Sequence, residues 1–237
     1  MGFRTVARPL PGGRGERLEW YVPFVQNSTV VGSLFTLVHV PFMLAFLSVT
    51  VIGAMAAGTP DATVLALSLA VVGLLLYAEH MLDDTTAVGK PWNTVLGDRS
   101  LFALAGGLYV LAAAIGAWAS IRYSSVVPGV GVGAGIVFTA LYGLEVWKFH
   151  AVEFGAVGMG AIPAFSYLAQ SAAAGESGGW LVAVALFVFG TLYCLVMLSL
   201  YEHTKTGDHA TMWRLLGYHF LMIYALATAA IALGGLP

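Results

Sequence analysis

Seven stretches of this chain are each long and apolar enough to cross a bilayer: about 31–57, 62–82, 101–121, 127–147, 151–174, 179–203 and 211–234. A spanning helix needs about 20 mostly apolar residues, because the hydrocarbon core is roughly 30 Å thick and a helix rises about 1.5 Å per residue. Inside lipid, every backbone N–H and C=O must find its partner within the protein, and apolar runs of this length do so as helices. The expected fold class is therefore all-α: a polytopic integral membrane bundle of seven transmembrane helices. Composition agrees. Only 9% of the 237 residues are charged, against about 25% in an ordinary soluble domain. So few charges cannot coat a water-exposed surface, and the formal net charge of −2 offers no basic face. These facts exclude a water-soluble enzyme and a nucleic-acid binder. A single cysteine excludes a disulfide framework or a zinc knuckle.

The breaks between stretches carry turn chemistry: Gly58-Thr59-Pro60-Asp61, Gly89-Lys90-Pro91, and Gly175 to Gly179. Residues 1–30 hold four arginines and three prolines and read as a tail; residues 31–237 read as the transmembrane domain. The first apolar stretch is too long, and starts too late, for a cleaved signal peptide. Basic residues in short loops set orientation. With the N-terminus in the cytoplasm, nine of the ten Lys and Arg lie inside and only Arg122 lies outside. The expectation is a protein of the cell (inner) membrane with its N-terminus cytoplasmic and its C-terminus outside.

In that orientation the acids gather on the same side. Glu16, Glu19, Glu79, Asp83, Asp84, Asp98, Glu145, Glu153, Glu202 and Asp208 are cytoplasmic, while Asp61 and Glu176 are not. His80, His150, His203 and His209 sit at cytoplasmic helix ends, and His39 and His219 fall about two turns further in. An ionisable group within a span is costly and marks a functional candidate. Three clusters suggest a polar cavity in the cytoplasmic half. The second stretch ends Glu79-His80-Met-Leu-Asp83-Asp84, which puts Glu79 with Asp83, and His80 with Asp84, one turn apart on a helix. The fourth and fifth meet at Glu145-Val-Trp-Lys148-Phe-His150-Ala-Val-Glu153. The sixth ends Glu202-His203-Thr-Lys205-Thr-Gly-Asp208-His209. Solvated helix ends are the simpler explanation of any one cluster; a repeated Glu-His on one side argues for a shared site.

The residue types point to a divalent metal. Carboxylates suit Mg²⁺, which keeps waters and bridges to substrate phosphates. Mixed imidazole and carboxylate suit iron, manganese, zinc or copper. Glu and His projecting into a bundle core are also the ligands of di-iron and di-manganese carboxylate sites. The candidate ligands are Glu79, His80, Asp83, His150, Glu153, Glu202, His203 and His209.

The second stretch ends in a polar motif followed by Gly89-Lys90-Pro91-Trp92-Asn93-Thr94. Leu141-Tyr142-Gly143 then leads to Lys148, and Glu153-Phe-Gly-Ala-Val-Gly158-Met-Gly160-Ala-Ile-Pro163 follows. This order of features, over roughly residues 31–235, resembles the UbiA superfamily of membrane prenyltransferases. The family's first Asn-Asp-x-x-Asp motif falls on Glu79-His80 and Asp83. Its second Asn-Asp falls on Glu202-His203, with Asp208 nearby. The resemblance implies prenyl transfer at Mg²⁺, with Asp83, Asp84 and Asp208 as catalytic residues and Lys90, Lys148, Lys205 and Tyr142 contacting substrate. Two departures stand out: His replaces Asp in both motifs, and seven helices replace the usual nine. Neutral imidazole is a poor Mg²⁺ ligand.

Three functions follow. The first is a metal-dependent UbiA-like membrane enzyme acting on a lipophilic isoprenoid or quinone-type substrate. The second is a di-metal oxidoreductase on the same scaffold, holding Fe, Mn, Zn or Cu. The third is a non-catalytic metal-binding or accessory subunit with a membrane-protein partner. Glycines 129 to 135 and Gly155, Gly158 and Gly160 read as close helix packing rather than phosphate loops. Cys194 reads as an inert apolar residue.

Overall fold

The computed structural model describes residues 29–86, 94–204 and 209–232. It is all-α. The elements are α1 (Val30–Leu37), α2 (Val40–Met55), α3 (Ala62–Thr86), α4 (Asp98–Arg122), α5 (Val127–Gly143), α6 (Val152–Gly160), α7 (Ile162–Ala173), α8 (Trp180–Thr204) and α9 (His209–Ala232). Among the described residues, four helical segments are long and apolar enough to cross a membrane: Ala62–Thr86, Asp98–Arg122, Val152–Ala173 and Trp180–Leu200. A fifth arises if α1 and α2, bent by 42° at their junction, form one span. Val127–Gly143 and Leu215–Thr228 are shorter apolar helices. The chain is thus a polytopic helical membrane protein by length and composition, with four spans, or five with the bent pair, meeting the full criterion. Each of the seven apolar stretches nonetheless contains helix.

Prolines and short polar side chains set the boundaries. Pro41, Pro128 and Pro163 each occupy the first turn of a helix, where a missing N–H costs nothing. Pro163 cannot bond back into α6, which breaks the 151–174 stretch into α6 and α7 at Ala161. Thr29 caps α1 by accepting the Gly32 N–H at 3.0 Å. Asp61 does the same for α3, accepting from Thr63 (2.7 Å) and Val64 (2.9 Å). Gln170 on α7 grips the Asp61 backbone through both its N–H (2.8 Å) and its carbonyl (3.2 Å). The α2–α3 turn is therefore tied to α7.

The main core runs between α2, α3, α6, α8 and α9 around Phe46, Met81, Met197 and Ile223. α3 packs along α4, α6 crosses α8, and α2 crosses α7. Small residues permit those crossings. A Cβ on Gly160 would lie 2.5 Å from the Thr191 backbone N on α8. The outer faces are apolar, as at Val110 and Ile121, which are 71% and 81% exposed. Such faces suit lipid, which is as apolar as they are.

Candidate metal centre

Three side chains from three local structures converge where α3 and α5 end. Asp83 lies in the last turn of α3, Glu145 follows the end of α5, and His150 precedes α6. One ligand atom from each lies within 4.8 Å of the others. Asp83 and His150 are half-buried, and Glu145 is exposed.

The segment from Leu144 to Ala151 is shaped to present these groups. Glu145 and Trp147 have φ of 50° and 52°, in the left-handed region that an L side chain adopts at a cost of about 1–2 kcal/mol. Such outliers cluster at functional sites. Gly143 makes the approach possible: a Cβ there would lie 2.7 Å from the Glu79 carbonyl oxygen and 3.0 Å from Leu82 Cβ. The Thr86 hydroxyl closes the junction by donating to the Gly143 carbonyl at 2.8 Å. His150 is fixed twice. Its Nδ1 donates to the Tyr142 carbonyl at 3.1 Å, and its ring stacks on Tyr142 at 4.5 Å. Donation through Nδ1 leaves the lone pair on Nε2, the tautomer that metal-bound histidines use.

The other expected site residues fall elsewhere. Glu79 and His80 lie one turn back along α3 and are not in this group. The His80 Nδ1 donates to the Leu37 carbonyl at 3.0 Å, and its Nε2 lies 3.3 Å from Glu79 and 3.2 Å from His39 Nδ1. Asp84 is fully buried and accepts the Thr94 hydroxyl at 2.5 Å. It serves to tie the α3 end to the start of the next segment. Glu153 is exposed in the first turn of α6, where it complements the helix dipole. Lys148 is exposed and sits over the Trp147 ring at 5.8 Å. Tyr142 meets His150 rather than open space. Glu202, His203 and His209 lie on helical backbone whose side chains are outside the described set, and Lys90, Lys205 and Asp208 lie outside the described residues.

Two participants were not assigned from the sequence. Glu145 stood in the right cluster, yet its position past a helix end hid its role, which depends on the left-handed turn. His39 pairs with His80 because α1 and α2 part at Val38, a break signalled by Pro41 three residues on.

Below the polar group lies an apolar cavity of about 350 Å³, lined from α3, α4, α5 and α7 by residues including Val64, Leu75, Gly116, Val132, Phe138 and Phe165. It extends along α3 from Val64 to Leu75, roughly 16 Å at about 1.5 Å per residue. Leu75 is one turn before Glu79, and Phe138 one turn before Tyr142. The slot therefore ends about two turns short of Asp83 and Glu145, and none of Asp83, Glu145 and His150 lines it.

Comparison with protein-family models, with curated proteins and with solved structures gives no match to this chain.

Proposed function

We propose that the protein is a metal-dependent integral membrane enzyme, UbiA-like in scaffold, acting on a lipophilic isoprenoid or quinone-type substrate. The observation that carries this reading is the convergence of Asp83, Glu145 and His150 where α3 and α5 end, in a bundle that also holds a long apolar slot about two turns deeper. An amphiphile whose tail fills the slot between α3, α4, α5 and α7 reaches about two further helical turns for its polar head to meet the three side chains. Two carboxylates and one imidazole suit a divalent ion, by donor chemistry Mn²⁺ or Fe²⁺ as readily as Mg²⁺. When bound, the ion supplies charge neutralisation at a phosphate or another developing anion. Asp83 and Glu145 orient the head, His150 holds a fixed lone pair beside it, and Lys148 is the described cation nearest in sequence for an anionic group. Prenyl transfer is the reaction the family resemblance favours.

The imidazole supports a second reading. His150, held in the metal-binding tautomer, suits a redox-active transition metal and an oxidoreductase on the same scaffold. One assay separates the two. Purified protein in lipid nanodiscs is given an allylic prenyl diphosphate with Mg²⁺ or Mn²⁺, and diphosphate release is followed. Metal-dependent release that Asp83→Asn abolishes is the outcome expected for prenyl transfer. Tightly held iron or copper without release moves the assignment to the oxidoreductase, and metal without turnover of either kind moves it to a carrier or accessory role.

The seven apolar stretches are proposed to be seven spans, with α1–α2 and α6–α7 as broken ones and the N-terminus cytoplasmic. Single cysteines at Thr59 and Glu176, both exposed, should react with an impermeant maleimide on intact cells, and one at Lys148 should react only after lysis. The opposite pattern rejects the orientation and puts the polar group on the outer face.

A further inference from the structure

The apolar slot has two ends, and a charged group adjoins one of them. At Leu75 the slot stops about two turns short of Asp83. At the other end Tyr123, Val127 and Pro128 line it, where α4 gives way to α5. The Arg122 guanidinium lies 5.6 Å from the Tyr123 ring centroid, and Trp118 meets the same ring edge-on at 6.4 Å. Among the described residues Arg122 is the only basic one at this end of the bundle; Arg99 and Lys148 belong to the other. Tyr and Trp gather at the headgroup level of a bilayer, where an Arg beside them meets lipid phosphate.

The interior suits one hydrocarbon chain. None of the described residues that line it is charged, and two of its few hydroxyls are spent on the backbone. Thr50 donates to the Phe46 carbonyl and Ser166 to the Thr50 carbonyl, each at 2.8 Å. Its length of roughly 16 Å is about half of a hydrocarbon core roughly 30 Å thick, the depth of one leaflet. An occupant must therefore carry its polar group at an end, and the nearer end offers a cation. The acids of that end are placed elsewhere: Asp61 accepts the amides of Thr63 (2.7 Å) and Val64 (2.9 Å), and Glu176 lies in the α7–α8 turn. The turn after Arg122 holds Ser124 at φ 50°, a left-handed backbone that an L side chain rarely adopts. It leads into the N-terminus of α5, which adds partial positive charge beside the mouth.

We propose that the slot is a lipid site: an anionic phospholipid of the leaflet facing away from Asp83 places its phosphate at Arg122 and one acyl chain between α3, α4, α5 and α7. Guanidinium pairs with phosphate through two parallel N–H donors, and burial of the chain's methylenes supplies the part of binding that any lipid shares. The site uses no residue of the Asp83, Glu145 and His150 group and does not rest on the reaction proposed there. It does regulate that reaction if the substrate tail enters the slot, because the same space cannot hold both chains and the lipid must leave first.

Native mass spectrometry of the full-length protein, released from nanodiscs of equal phosphatidylglycerol and phosphatidylcholine, reads the bound lipid. The wild type should retain one lipid per chain and prefer phosphatidylglycerol by about fivefold, the worth of one basic residue at an anionic headgroup. Arg122→Gln should lose the preference, and Arg99→Gln, at the opposite end of α4, should keep it. Ala119→Phe, which fills the slot from a position that lines it, should retain little of either lipid. A wild type without bound lipid or without preference overturns the site, as does full retention by Ala119→Phe. Equal loss in the two arginine variants overturns it too. So does a preference that survives Arg122→Gln, the result expected of a residue that only complements the α4 dipole. If Ala119→Phe does not fold, phosphatidylglycerol with a diazirine at the end of its chain decides on the wild type. Crosslinks to Val71, Leu75 or Phe138 support the site, and crosslinks confined to outward residues such as Val110 reject it. No metal or prenyl diphosphate is present, so failure here leaves the proposed reaction standing, and failure of that reaction leaves the lipid site standing.

Discussion

Replacing Glu145 with glycine should weaken divalent-metal binding by more than about tenfold while leaving the apo protein as stable or more so. Outer partners of metal ligands alone cost about 10–100-fold when lost, and a first ligand costs at least as much. Glu145 stands at φ 50° and is exposed, so its side chain contributes little packing. Glycine adopts that backbone freely, which removes about 1 kcal/mol of conformational cost. The two effects therefore have opposite signs: Mn²⁺ affinity by EPR titration falls, and the thermal midpoint without metal holds or rises. A residue placed there for stability alone would show a fall in the midpoint and no change in Mn²⁺ affinity.

Gly143→Ala should lose both stability and metal. The added Cβ would meet the Glu79 carbonyl and Leu82, backbone and core that have no room to retreat. Overpacking of this kind costs about 1–3 kcal/mol. If α5 moves away from α3, the Thr86 to Gly143 hydrogen bond opens and Glu145 and His150 withdraw from Asp83. Gly107→Ala is the matched control. Nothing lies within 4 Å of its Cβ position, and Ala is the better helix former by about 0.5–1 kcal/mol. The expected result is a lowered midpoint and loss of metal for Gly143→Ala, with a neutral or raised midpoint and full metal for Gly107→Ala. Equal behaviour of the two would mean that the α3–α5 contact does not position the site.

How far the sequence could be read follows from which interactions are local. Helix content came from apolar runs, and the breaks came from Pro41, Pro128, Pro163 and the Gly-rich turns, all of which act within a few residues. Full span length was less legible: Pro163 divides one stretch, and Gly143 ends α5 before Glu145. The convergence of Asp83 with the segment before α6 was legible as polar clusters on one side, since charge is rare in this chain. Glu153 was placed among the ligands as part of the polar cluster with Glu145 and His150, but Ala151 is the extended cap of α6. That geometry turns Glu153 outward and breaks the helical register with His150. The pairing of His39 with His80 spans 41 positions and depends on how α1 meets α2 and α3, which no local pattern encodes. The apolar slot was equally hidden, because residues from seven helices, α2 to α8, line it jointly.

The most direct measurement is anomalous diffraction from crystals of the Mn²⁺-loaded protein, collected at the manganese edge. A peak bounded by the side chains of Asp83, Glu145 and His150 is the predicted result. Density for the metal elsewhere, with those three side chains apart, would contradict it.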